Sequence, residues 1–311
     1  MSRLPMTSRR QALKSLSLPF MLPLAGGALT ACGGGSSSGS PAASASFVSA
    51  AFAHMTALTL NEAASMAKTT VATAVQVAFS DGSSKAMNLS YATFFMTGDS
   101  VPDGKGGTVL AGGYYDINNK PIVDKSKAGA ERQFFSDSPD GTSLFTVPNA
   151  SVPGVKGKPV FAVVQFEYNT RDQAGNDTYG MLPSPIAVLS LDQDPATGKL
   201  TLVKYHNVDT SGVKGLWITC GASLSPWGTH LSSEEYEPDA FNQGALGQSL
   251  SVLQGFSTNM FGNSTTANPY DYGHLPEVTV NPDGTGTIKK HYCMGRISHE
   301  LIQVMPDNRT A

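Results

Sequence analysis

Two stretches of this chain have the pattern strand, tight turn, strand, and they restrict its fold more than any other feature. Residues 186–191 and 200–205 flank Asp192-Gln193-Asp194-Pro195-Ala196-Thr197-Gly198-Lys199, where proline and glycine set the bend. Residues 277–280 and 287–292 flank Asn281-Pro282-Asp283-Gly284 in the same way. Asp192 and Asp194 belong to a hairpin turn rather than a calcium loop, because no later glutamate completes an EF-hand spacing. Residues 71–79 alternate with a period of two and end at Asp81-Gly82. Residues 89–96, 160–168 and 301–304 read as further strands, and 98–143 as irregular chain. Residues 47–67, rich in Ala, Met and Leu, read as a helix packed on the domain. A count of 32 Gly and 19 Pro supplies many turns, and 14% charged residues excludes a disordered chain or a coiled coil. The pattern is mainly β, a propeller or a sandwich, with a short N-terminal helical segment. No strict internal repeat is visible.

The first 32 residues are a processing segment. Arg9 and Arg10 precede a modest apolar stretch, which reads as a twin-arginine (Tat) export signal. Pro19 and Pro23 break that stretch, which is too short for a spanning helix of about 20 residues. Leu29-Thr30-Ala31-Cys32 resembles a lipobox, with Cys32 as the lipidated residue; the plainer alternative is a soluble exported protein cleaved nearby. Residues 33–46 are a Gly/Ser-rich tether. The expected address is the periplasm, reached through the Tat translocase, with the membrane touched through a lipid anchor only. This segment holds Arg3, Arg9, Arg10 and Lys14 and no acid, so the remainder is more acidic than the formal net charge of −3. No basic footprint points to nucleic acid. The chain ends just after the expected strand 301–304, leaving no room for a returning strand. Residues 47–311 are therefore expected to be one domain, truncated at its C-terminus.

The chemistry concentrates in residues 217–237. Cys220 opens a loop of small residues, Pro226-Trp227-Gly228-Thr229 makes a turn, and Glu234-Glu235 follows a short strand. Alternation along that strand sends neighbouring side chains to opposite faces, so only one of the two glutamates can share a pocket with Cys220. A thiolate beside carboxylates makes a mixed metal site. A Cys220–Cys293 disulfide is the simpler alternative in an oxidising compartment. No His-x3-5-His spacing supports zinc.

The run from Cys220 to Glu235, C-x5-P-W-G-T-x-L-x-x-E-E, resembles the signature loop of PhoX-type bacterial alkaline phosphatases. Tyr272-Gly273-His274-Leu275-Pro276-Glu277, Gly295-Arg296-Ile297-Ser298-His299-Glu300 and Phe166-Glu167-Tyr168 resemble three further segments of that family, in order. The resemblance implies a Tat-exported β-propeller, here incomplete, hydrolysing a small phosphate ester at a centre of iron and calcium. It implies Cys220 as a bridging iron ligand and Glu235 as a carboxylate ligand, with Glu234 as the alternative. Glu277 and Glu300 are implied as further metal ligands. The sequence departs from the family in having no arginine between Arg171 and Arg296, and Gln165-Phe166 replaces the family's Asn-His. A long insertion, residues 238–270, separates the loop from Glu277. These departures leave open a non-catalytic exported propeller that serves as a binding or scaffold module.

Overall fold

The computed structural model describes residues 45–68, 70–241 and 250–311. Arg9, Arg10, Cys32 and the tether up to residue 44 lie outside them. Contacts divide the chain into two compact units, Met1–Ala92 and Thr93–Ala311, and their boundary falls inside residues 47–311, the stretch read as one domain. The described residues are mainly β and form five open sheets of two to four strands. No helix among them is long and apolar enough to cross a membrane.

The first unit is a sheet of β1 (Phe47–Phe52), β2 (Thr70–Phe79) and β3 (Ser84–Ser90). The helix expected over residues 47–67 is therefore a strand at its start. Phe47 pairs with Phe79, Ala50 with Val77 and Phe52 with Val75, and these ladder bonds override the helix-forming composition. Only a 3₁₀ turn, Leu60–Glu62, and one helical turn, Ala63–Met66, remain. The strand expected over residues 89–96 ends at Ser90.

In the second unit, β4 (Ser100–Pro102) pairs with β5 (Thr108–Leu110), and β6 (Val123–Asp124) with β7 (Arg132–Gln133). Four strands then form the central sheet: β8 (Pro139–Phe145), β9 (Lys158–Phe166), β10 (Ile186–Gln193) and β11 (Leu200–Asn207), in the order β11-β10-β9-β8. β9 and β10 read as nearly continuous apolar runs because both their faces are covered. Val160, Ala162, Val164 and Phe166 pack on one side with Leu189, Leu191 and Tyr205. Phe161, Val163 and Val188 pack on the other with Val208, Val278 and Val280.

Val278 and Val280 come from a second sheet, of β12 (Ser223–Leu224), β13 (His230–Leu231), β14 (Pro276–Val280) and β15 (Gly286–Lys290). Both hairpins read from the sequence are present, at β10–β11 and β14–β15. The insertion 238–270 contains the helix Leu250–Phe261, whose Leu253, Phe256 and Met260 pack on Trp217 and Tyr272. Residues 301–304 form no strand; Ser223 Oγ instead donates to the Ile302 carbonyl at 2.5 Å. Cys220 and Cys293 are both free thiols rather than a disulfide, and Cys293 is exposed.

A buried imidazole joins the two large sheets. His230 Nδ1 lies 2.9 Å from Ser143 Oγ on β8, and Nε2 lies 3.0 Å from Gln165 Oε1 on β9. The Gln165 amide nitrogen donates to the carbonyls of Cys220 and Gly221, so its oxygen must accept. His230 Nε2 therefore carries the proton and Nδ1 accepts from Ser143, a neutral ring. Burial holds this imidazole down from 6.5 to about 3. Between those values only the unfolded chain takes the proton. Stability is thus full above the unfolded value and falls with decreasing pH, by up to about 1.4 kcal/mol per pH unit. Urea unfolding at about pH 7, 5.5 and 4 should show a shallower pH slope for His230→Gln than for the parent. Parallel slopes would refute the neutral buried ring.

Candidate metal centre

Four chain segments converge at the end of the central sheet. Gly141 on β8 donates its N–H to the Cys220 carbonyl at 3.1 Å. A Cβ at Gly141 would meet Ala222 Cβ at 2.6 Å and the Cys220 oxygen at 2.7 Å, so only glycine allows this approach. Glu167 follows the last residue of β9, and its N–H donates to the Ser138 carbonyl at 2.8 Å. Cys220 is fixed by its own N–H, which donates to Ser233 Oγ at 2.9 Å. Glu235 is fixed by its N–H, which donates to the Ile218 carbonyl at 3.0 Å.

These constraints bring the ligand atoms of Glu167, Cys220 and Glu235 within 4.8 Å of one another. The Cys220 thiol donates to an Asp140 carboxylate oxygen at 3.5 Å. Among the described residues, Asp140, Glu167 and Glu235 make no ion pair with a lysine or arginine. Negative charge is therefore crowded and uncompensated. Burial, followed by Asp140, Glu235 and Glu300, raises the Glu167 carboxyl to about 7. Burial, Asp140, Glu167 and Glu235 push the Cys220 thiol up to about 12. A cation among these groups would reverse every one of the charge effects. One sulfur and three carboxylates suit a transition metal with a hard cation alongside, so the donor set fits the metals the sequence resemblance implies.

The paired glutamates separate as the alternation rule requires. Glu235 faces Cys220. Glu234 faces the interior, where its Oε1 accepts from the Trp217 N–H at 2.9 Å and meets Lys290 Nζ at 2.8 Å. Its Oε2 accepts from the N–H groups of Gly273 and His274 at 2.9 and 3.0 Å. Both side chains of the Glu234–Lys290 pair are 0% exposed. Glu277 is also engaged elsewhere: it accepts from Trp227 Nε1 at 2.7 Å and Thr229 Oγ1 at 2.5 Å, and pairs with Lys289 and His291. Burial raises its carboxyl, but donors from Thr229, Trp227, Lys289 and His291 outweigh burial and hold it at about 2. Neither Glu234 nor Glu277 is brought to the thiol. Glu300 is exposed at the margin of the cluster, with its carbonyl against Gly221 and its charge felt by Glu167.

Two members of the cluster carry no role in the sequence reading. Glu167 has a signal, as an acid directly after an apolar strand in the segment Phe166-Glu167-Tyr168. Asp140 has none, because its partner is 80 residues away.

With this geometry established, residues 189–311 match the family model of alkaline phosphatase PhoX. The match includes Cys220, Glu235 and Glu300, while Asp140 and Glu167 precede it. No curated protein and no solved structure matches the chain.

The two glutamates should respond differently to neutralisation. Glu234→Gln strips the buried Lys290 of its counter-charge and should cost about 3–5 kcal/mol in chemical denaturation. Glu235→Gln relieves like-charge crowding and should leave metal-free stability equal or higher. Equal losses in both variants would contradict the division of roles.

Proposed function

We propose that this protein is an exported, metal-dependent phosphomonoesterase working at Cys220, Glu235, Glu167 and Asp140. The observation that carries the proposal is the convergence of one thiol and two glutamates within 4.8 Å, with Cys220 and Glu235 inside the segment that matches the alkaline phosphatase family. Cys220 Sγ and Glu235 would hold iron, and the outer carboxylates, Glu300 among them, would hold calcium. Bound metal ions would stabilise the charge that develops on a transferred phosphoryl group. The chain's own contribution is to hold its ligands still. Gln165 and Ser233 fix the Cys220 loop, and Glu234 fixes the turn that aims Glu235. The two large sheets would be blades of an incomplete propeller. Export runs through the Tat translocase by Arg9 and Arg10, and Cys32 carries the lipid that holds the protein at the periplasmic membrane.

A second reading, a metal-binding exported module without turnover, is favoured by one observation. Arg171 donates to the Gly175 carbonyl, and Arg296 donates to the carbonyls of Tyr272 and Pro238. Both guanidinium groups nearest the site in sequence are thus committed to backbone.

Metal analysis and aryl phosphate hydrolysis at alkaline pH decide between the readings. The parent should carry iron and calcium and release phosphate. Cys220→Ser should lose most of its iron and its activity together. Equal iron in parent and variant would remove the central assignment, and metal without phosphate release would select the binding module. Cys32→Ala should move the protein from the membrane fraction to the soluble periplasm; an unchanged fraction would exclude the anchor.

A further inference from the structure

Buried polar side chains hold the Cys220 loop from behind. The Cys220 N–H donates to Ser233 Oγ at 2.9 Å. Its carbonyl accepts from the Gly141 N–H at 3.1 Å and from the Gln165 amide nitrogen. Both backbone polar groups of Cys220 are thus engaged, which leaves the sulfur as the group it has to offer. The next carbonyl, of Gly221, accepts from Ser233 Oγ at 2.9 Å and from Gln165 Nε2 at 3.1 Å. Gln165 and Ser233 are both fully buried, and Gln165 lies on β9 two residues before Glu167.

Gln165 is itself aimed. Its nitrogen faces carbonyls that only accept, so its oxygen turns the other way, to His230 Nε2 at 3.0 Å. With Nε2 donating, Nδ1 accepts from Ser143 Oγ at 2.9 Å. The donors therefore run in one direction, from Ser143 on β8 through His230 on β13 and Gln165 on β9 to the carbonyls of the thiol loop. Ser143 and His230 are buried as well. Apolar side chains would join two sheets without burying any polar atom, whereas buried polar groups cost free energy unless they are hydrogen-bonded. Here no polar side-chain atom of Ser143, His230 or Gln165 is left without a partner. A fully satisfied network of this kind specifies one arrangement.

We propose that His230 and Gln165 are positioning residues for the Cys220 ligand: the imidazole N–H fixes the amide, and the amide fixes the thiol loop toward Glu167 and Glu235. The inference rests on the metal reading of that cluster and adds to it two residues that supply no ligand atom. It ties the joint between the two large sheets to metal affinity, because the bond from His230 to Gln165 is felt at a sulfur that His230 does not touch.

The test uses the full chain with Cys32→Ala and Cys293→Ser, so that Cys220 is its one thiol. Cobalt(II) is the probe, because sulfur bound to cobalt gives a charge-transfer band in the near ultraviolet; affinity, band intensity at saturation and Tm are measured. His230→Met removes both ring nitrogens, whereas His230→Gln keeps an N–H of similar reach. Gln165→Met keeps the length of the side chain and removes its amide. His230→Met and Gln165→Met should each weaken cobalt binding by about tenfold or more and reduce the band. Combined, they should lose much less than the product of the two, because both break one path. His230→Gln should bind cobalt like the parent even where its Tm falls. Val163→Ala, which truncates a buried side chain of β9 outside this network, should lower Tm at unchanged cobalt affinity. Where His230→Met does not fold, Gln165→Met against Val163→Ala decides. Parental affinity and band in Gln165→Met overturn the proposal and leave the metal reading intact. Equal losses in His230→Gln and His230→Met, or a loss that Val163→Ala shares, also overturn it and make the network a matter of packing. A parent that binds no cobalt through sulfur brings down the metal reading and this inference together.

Discussion

One buried carboxylate holds the site together. Glu234 gathers the N–H groups of Trp217, Gly273 and His274 and the ammonium of Lys290, so three chain segments close around one side chain. Lys290 in turn donates to the Asp271 carbonyl at 3.0 Å and lies 4.7 Å from the centre of the Tyr272 ring. Burial pulls the Lys290 ammonium down from its ordinary value, and Glu234 opposes that pull. A desolvated ion pair of this kind contributes little net stability against a hydrophobic replacement, but the loss of one partner strands the other. Its structural value is direction. With Glu234 committed to the interior, the next side chain must turn the other way, toward Cys220.

The carboxylates of this unit fall into two electrostatic kinds. Glu234 and Glu277 are surrounded by donors, and Glu277 is held far below the ordinary carboxylate range in consequence. Donor-saturated acids of this sort fasten loops: Glu277 pins the Pro226–Thr229 turn through Trp227 and Thr229. Glu167 and Glu235 have each other, a thiol and Asp140 as neighbours. Crowding of like charge destabilises a fold unless a cation is brought in. The cluster thus differs from the donor-saturated acids in having no compensating lysine or arginine among the described residues, which is why the proposed cation is placed there.

The loop chemistry was legible in the sequence because it is local. Cys220, the Pro-Trp-Gly-Thr turn and the glutamate pair lie within one short run, and alternation along an extended chain is enough to predict that Glu234 and Glu235 point apart. The hairpins were legible because proline, glycine and aspartate mark their turns. Features decided by distant partners were not. Phe47–Phe52 reads as helix by composition and becomes a strand because β2 offers a ladder. Residues 301–304 are apolar enough for a strand, yet no neighbour pairs with them in regular fashion among the described residues. Asp140 reaches the thiol only because Gly141 lets β8 approach the Cys220 loop. The helix Leu250–Phe261 was hidden inside an insertion whose apolar face acquires meaning only against Trp217 and Tyr272.

Backbone strain completes the account of how Cys220 and Glu235 are aimed at one another. Ile218, two residues before Cys220, has φ +34° while nearly fully buried. A β-branched residue in that region costs of order 1–3 kcal/mol and survives only where its surroundings over-determine it. Here they do: its carbonyl accepts from Glu235 N–H, the Trp217 N–H before it is bound to Glu234, and Thr219 after it donates to the Phe166 carbonyl at 3.2 Å. The chain therefore enters Ile218 pointing into the aromatic core and leaves it pointing at the end of β9. Tyr236 makes the corresponding reversal one residue after Glu235. Each side of the thiol–carboxylate pair thus ends in a left-handed residue held by backbone hydrogen bonds. Those two reversals fix Cys220 and Glu235 against one another before any ligand arrives, so binding would require little further ordering of the chain.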